Sequence, residues 1–336
     1  MDDEKLGHRS QSSAPHQRIN ADELRHFCQL FRFFLAQQAP LNLQTVAKRV
    51  AAFVEKHSKI SGRKIVLVTS GGTTVPLETQ TVRFIDNFSA GTRGAISTEF
   101  FLDHGYAVIF LHRQYSLLPY SRHYSHSTNC FLDFMASDGN GGVKAPQYTP
   151  KMLQVLNKYT AVKSAGLLET ISFVDVNEYL FLLREITLTL STINERALFY
   201  LAAAVSDFYI PIGKMVHHKI QSGGEGLLKL ELDQVPKVLS PLVKEWAPRA
   251  YVVSFKLETD PSILVQKAQG ALKNYGHQAV IGNILSTRKH HVVLITSSEV
   301  KDVRLNEFQI AENTEIEGVF IPEIISRHDA WIRQSK

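Results

Sequence analysis

The chain has 336 residues, with Lys+Arg 37 against Asp+Glu 32 and a formal net charge of +5. So small and scattered an excess argues against a nucleic-acid-binding face and suits small anionic ligands. Two cysteines, Cys28 and Cys130, are too few for a disulfide framework or a cysteine metal cluster. The longest apolar run, Ala197 to Val205, is far shorter than the ~20 residues of a membrane-spanning helix. A reducing intracellular compartment is therefore expected, the cytoplasm first with the nucleus as the alternative, and no membrane association.

Residues 1–20 are polar and aperiodic and are expected to form a disordered arm. Residues 21–60 read as a helical extension: Leu24, Phe27, Phe31, Phe34 and Leu35 fall on one helical face, and Pro40 separates that helix from a second at about 43–57. From residue 61 onward the pattern is that of one domain. Strands are expected at Ile65–Val68, Ala107–Leu111, Glu169–Phe173, Leu198–Val205, Leu227–Leu232, Tyr251–Phe255, Ala279–Ile281 and Val292–Ile295. Helices are expected at Arg93–Asp103, Pro150–Lys163, Val176–Leu190, Pro261–Tyr275 and Pro322–Ile332. Strands alternating with helices imply an α/β fold: a Rossmann-like, doubly wound, mostly parallel sheet flanked by helices. Residues 114–148, rich in Ser, Tyr, His and Gly, break the rhythm and read as a surface insertion.

Ligands of doubly wound sheets sit beyond the carboxyl ends of the strands, and three segments fall there. In VTSGGTTVPLE (68–78), Gly71 and Gly72 follow a buried strand, either to expose backbone N–H groups to phosphate or simply to make a tight turn. In VRFIDNFSAGTRG (82–94), Asn87, Ser89, Gly91 and Gly94 stand just before a helix, whose start offers unpaired N–H donors to an anion. Arg83 and Arg93 read individually as solvated surface charges. In FYLAAAVSDFY (199–209), small residues at a strand end let a flat ligand lie against backbone, Asp207 faces that ligand, and a long loop with Lys214 and Lys219 follows. There is no P-loop, no G-x-G-x-x-G after the first strand, no H-E-x-x-H and no C-x-x-C.

Together these segments, with HKIQS (218–222), VPKVLSPLVKEWAP (235–248), SFKLETD (254–260) and GNIL (282–285), resemble the phosphopantothenoylcysteine synthetase family of the stand-alone eukaryotic kind, from about Lys64 to about Arg327. Gly282 stands where many relatives have Ala. The resemblance implies a phosphopantothenate–cysteine ligase of coenzyme A synthesis. ATP (or CTP) would activate the 4′-phosphopantothenate carboxylate as an acyl-nucleotidylate, and the L-cysteine amine would then attack. It implies Gly71, Ser89, Gly91 and Gly94 at the triphosphate and Phe255 and Asn283 at the base or ribose. It implies Ala203, Ala204, Asp207 and Asn87 at the acid substrate, and a homodimer in which Arg83 would reach the substrate phosphate within its own subunit or across the boundary. Asn87 and Lys219 would be catalytic. Magnesium would accompany the triphosphate without a protein metal cage, and other enzymes of the coenzyme A pathway would be partners. The rival readings are a non-catalytic nucleotide-binding subunit or scaffold of a coenzyme A-synthesising complex, and an NAD(P)-dependent oxidoreductase, for which the glycine fingerprint is missing.

Overall fold

The computed structural model describes residues 21–124, 131–145, 149–221 and 228–335; the expected arm at 1–20 and Cys130 lie outside them. Eight strands form one sheet: β1 Ile65–Ser70, β2 Ala107–Arg113, β3 Leu168–Phe173, β4 Ala197–Leu201, β5 Tyr251–Glu258, β6 Ala279–Ile284, β7 His291–Ile295 and β8 Val300–Arg304. Their order is β8-β7-β6-β5-β4-β1-β2-β3. The first six are parallel in the order 3-2-1-4-5-6, and β7 and β8 are added antiparallel at one edge. The order reverses between β1 and β4, which opens the crevice where ligands of such sheets bind.

Alternation along β1 sends Ile65 and Leu67 to one face and Val66 and Val68 to the other, all of them fully buried. The first face is covered by α1 (Ala21–Ala36), α2 (Leu43–Ser58) and α5 (Val176–Leu190), through Phe33, Val50, Leu180 and Ile186. The N-terminal helices thus cap the main core. The second face is covered by α3 (Thr92–Asp103) and, after α4 (Thr149–Ala165) and α6 (Pro261–Tyr275), by the C-terminal helix. Helix boundaries follow local chemistry. Asp175 caps α5 by accepting from the Glu178 N–H at 2.8 Å. Asp260 caps α6, Pro261 opens it, and Gly276 at φ 73° stops it.

Four sequence expectations change. The strand expected at Leu198–Val205 ends at Leu201, because the chain then leaves β4 to pair with the turn after β1. Residues 228–232 are not a strand; Asp233–Gln234 instead pairs with Phe208–Tyr209, and Leu227 lies outside the described residues. The last helix, α8, runs Glu317–Gln334 with Pro322 inside it, since burial of Phe320 and Ile321 holds the turn before the proline; α7 (Glu307–Ala311) precedes it. Arg93 is no surface charge: its side chain is only 17% exposed and pairs with buried Glu317. In addition, Thr74–Pro76 and Phe84–Asp86 form a hairpin that the sequence reading did not find. The stretch expected as an insertion opens with residues held in the body. Tyr120 is buried, and Arg122 is clamped between Glu99 and Glu315 at 2.7 and 2.5 Å.

Candidate functional site

Three backbone joins bring the motif segments together at the switch point. The Ala204 N–H donates to the Gly71 carbonyl at 2.8 Å and the Thr73 N–H to the Ala204 carbonyl at 3.0 Å, tying the Ala-rich segment to the turn after β1. The Asn87 N–H donates to the Thr73 carbonyl at 3.1 Å, and the Ser70 hydroxyl to the Gly91 carbonyl at 3.0 Å, which docks the start of α3 on the same turn. The glycines make this approach possible. A Cβ on Gly72 would lie 1.6 Å from the Asn87 carbonyl oxygen, and one on Gly94 would lie 2.4 Å from the Ser70 hydroxyl. Gly71 and Gly91, both at φ 81°, adopt the left-handed conformation that glycine tolerates.

Beside this join lies a cavity of about 580 Å³. Of the residues anticipated from the sequence, Ser89, Ala203, Ala204, Asp207, Phe255 and Asn283 line it. Gly71, Gly91 and Gly94 stand behind its wall in the packing just described. Asn87 occupies the junction between hairpin and turn, next to the lining residue Phe88, which is 85% exposed. Lys219 is exposed on the loop that follows, outside the lining. Asp207 pairs with Lys237 at 2.9 Å, and Phe255 packs edge-on against Tyr200. Arg93, Lys237, Lys256 and Arg288 add four cationic side chains to the wall. Sequence reading gave these no role in ligand binding, although Arg93, Lys237 and Lys256 stand inside quoted motif blocks and only Arg288 lies outside them.

Glu78 organises the side of the site away from the sheet. With 0% of its surface exposed, its carboxylate accepts from the Arg83 N–H at 3.0 Å, the Val82 N–H at 3.3 Å, the Ile220 N–H at 3.3 Å and the Arg83 guanidinium at 3.0 Å. Burial alone would raise this carboxyl, but those donors hold it below the ordinary carboxylate value. The Arg83 guanidinium also donates to the Ile220 carbonyl at 3.1 Å. Within one chain, then, Arg83 fastens the Lys219 loop to the hairpin.

On the opposite wall the Arg93 guanidinium reaches Glu317 at 2.7 Å, the Arg288 carbonyl at 2.6 Å and the Asn283 carbonyl oxygen at 3.2 Å. Burial pushes the Glu317 carboxyl up despite the opposing pull of Arg93.

The DNA/pantothenate metabolism flavoprotein C-terminal domain model matches residues 167–312. Phosphopantothenate–cysteine ligase CAB2 of Saccharomyces cerevisiae is 44% identical over 91% of this chain and 87% of its own length. The human phosphopantothenate–cysteine ligase is 44% identical over 81% of this chain and 88% of its own. A solved structure of a Cab2 mutant in complex with phosphopantothenate-cysteine superposes with a TM-score of 0.84 at 45% identity, covering 90% of this chain and 99% of that one. With relatives this similar over nearly its whole length, the chain belongs to the phosphopantothenate–cysteine ligase family.

Proposed function

We propose that this protein joins 4′-phosphopantothenate to L-cysteine at the expense of ATP. The carboxylate oxygen attacks the α-phosphorus and pyrophosphate leaves. The cysteine amine then attacks the acyl carbon, loses a proton, and AMP leaves. The observation that carries the reading is the convergence of the Asn87–Gly94 and Ala203–Asp207 segments on one cavity at the switch point, in a chain of this family.

A carboxylate and a triphosphate repel each other, so the site must offer donors to both. In this reading the start of α3, with Ser89, receives phosphates, favoured by unpaired N–H groups and the helix dipole. Phe255 and Asn283 hold the base or ribose. Ala203 and Ala204 let the pantothenate arm run along backbone. Asn87 donates to the acyl oxygen, where a neutral donor stabilises developing charge. Lys219 offsets charge on the departing pyrophosphate. Asp207 is the one carboxylate in the cavity wall, and among the described residues no cluster of three or more His, Cys, Asp or Glu forms. That donor set fits a magnesium ion carried mainly by phosphate oxygens and water, with no protein cage, and leaves Asp207, paired with Lys237, to face the acid substrate or nucleotide.

The test supplies purified protein with phosphopantothenate, cysteine and either ATP or CTP, and measures pyrophosphate and nucleoside monophosphate with each substrate omitted in turn. Pyrophosphate release that needs phosphopantothenate, with AMP release that also needs cysteine, is the expected result. Nucleotide cleavage independent of both acid and amine would overturn the reading.

A further inference from the structure

Asn283 is 6% exposed and lines the cavity near the end of β6. A carboxamide can present either its oxygen or its amino group, and density or sequence alone does not say which. Here the neighbour decides. A guanidinium has only donors, so the Asn283 atom 3.2 Å from Arg93 is the carbonyl oxygen. The amino group is left with a 3.4 Å contact to the Ile281 carbonyl and is the group able to donate to a ligand. Arg93 is itself fixed by the Glu317 carboxylate, the Arg288 carbonyl and the face of Phe320, whose ring centre lies 5.6 Å away. No single ammonium would span these partners.

We infer that Arg93 is a positioning residue for the nucleotide: it locks the Asn283 carboxamide so that its donor edge is offered to an acceptor atom of the base or ribose. The inference rests on the reading of Asn283 as a nucleotide contact. It also explains why α3, whose start is read as the phosphate site, reaches across the sheet to β6: one side chain sets phosphate and base subsites at a fixed spacing.

The experiment is a calorimetric ATP titration of the full chain in four forms: wild type, Asn283→Ala, Arg93→Met with Glu317→Gln, and all three substitutions together. Replacing Glu317 along with Arg93 avoids leaving a buried carboxylate without its partner. Asn283→Ala and the Arg93/Glu317 pair are each expected to weaken ATP about tenfold, the scale of one lost hydrogen bond. The triple variant is expected to bind no more weakly than Asn283→Ala. Losses that multiply in the triple variant would show that Arg93 acts independently of Asn283 and overturn the inference, while leaving Asn283 as a nucleotide contact. Unchanged ATP binding by Asn283→Ala would overturn the inference together with that contact; the omission assay above judges the ligase reading separately. A further variant, Asn283→Asp, keeps an oxygen for Arg93 but loses the donor. It is expected to fold normally and bind ATP at least as weakly as Asn283→Ala, and wild-type affinity in it would also refute the proposal.

Discussion

Glu78 and Arg83 meet at 3.0 Å across the turn of the hairpin, and through this pair the hairpin holds the backbone at Ile220, one residue beyond Lys219. The contact makes a buried carboxylate, rather than any group facing the cavity, one of the groups that hold the loop, beside the Thr79 and Gln80 N–H groups that donate to the Val216 and His217 carbonyls at 2.9 and 3.0 Å.

Glu78→Gln should therefore impair turnover without removing a substrate contact. The amide keeps the volume, but its amino group faces backbone N–H donors where the carboxylate accepted them. A displacement of about 1 Å at reacting groups is enough for about a 10²-fold loss. Steady-state kinetics should show the fall mainly in kcat, with nucleotide KM little changed because the cavity wall at Asn283 is untouched. Wild-type kcat would remove Glu78 from this role.

Asn87→Ala is expected to lower product formation by about 10²–10³, the effect of losing one preorganised donor to developing charge. Its melting temperature should stay near that of the wild type, since only the backbone of Asn87 takes part in the join to Thr73. Lys219→Gln should slow pyrophosphate release with little effect on stability, because the side chain is exposed. Stopped-flow pyrophosphate detection separates the two: wild-type release by Lys219→Gln would exclude the lysine from catalysis.

Gly72→Ala should damage both fold and activity. A methyl group would sit 1.6 Å from the Asn87 carbonyl oxygen, so the hairpin end must move. Overpacking of this kind costs about 1–3 kcal/mol. Denaturant unfolding should show that loss, and turnover should fall with it; an unchanged midpoint would contradict the close approach.

A pH dependence of stability follows from His328. Its Nε2 lies 2.7 Å from the Glu195 carbonyl, an acceptor, so Nε2 carries the proton and Nδ1 accepts from the Tyr106 hydroxyl at 2.8 Å. Burial lowers this imidazole to about 4, against a smaller raising effect of the Glu195 carbonyl. The unfolded chain then binds the proton first as pH falls. The stability held by the neutral ring is full above about 6.5 and is lost progressively down to about 4, by about 1.4 kcal/mol per pH unit. His328→Gln, which keeps one donor and one acceptor, should flatten that part of the profile in denaturant titrations between pH 7 and pH 4.

The parallel sheet and most of its helices were legible because most strands are short apolar runs and several helices have a local start or stop signal; the edge strand β8, with four of its five residues exposed, was not found. Val176–Leu190 and Pro261–Tyr275 match to the residue, since Asp175, Asp260, Pro261 and Gly276 mark their ends. The end of β4 was not legible: Ala202–Val205 is as apolar as the strand before it, and only its pairing with Gly72 turns it aside. The hairpin was hidden because Phe84 and Ile85 are exposed and show no alternation. Among the site residues, glycines and small residues announced a ligand-side turn, whereas Arg93 looked like a surface charge. Its partners stand 190 and 224 positions away, beyond the reach of any local pattern.

That separation carries a consequence for how the molecule should respond to its ligand. Arg93, Asn283 and Glu317 belong to α3, β6 and α8, which are brought together only when the sheet has assembled from its centre to its antiparallel edge. Occupancy of the pocket is therefore coupled to cooperative unfolding as a whole. Hydrogen exchange should slow along all three elements in step, and not merely in the segments touching the nucleotide.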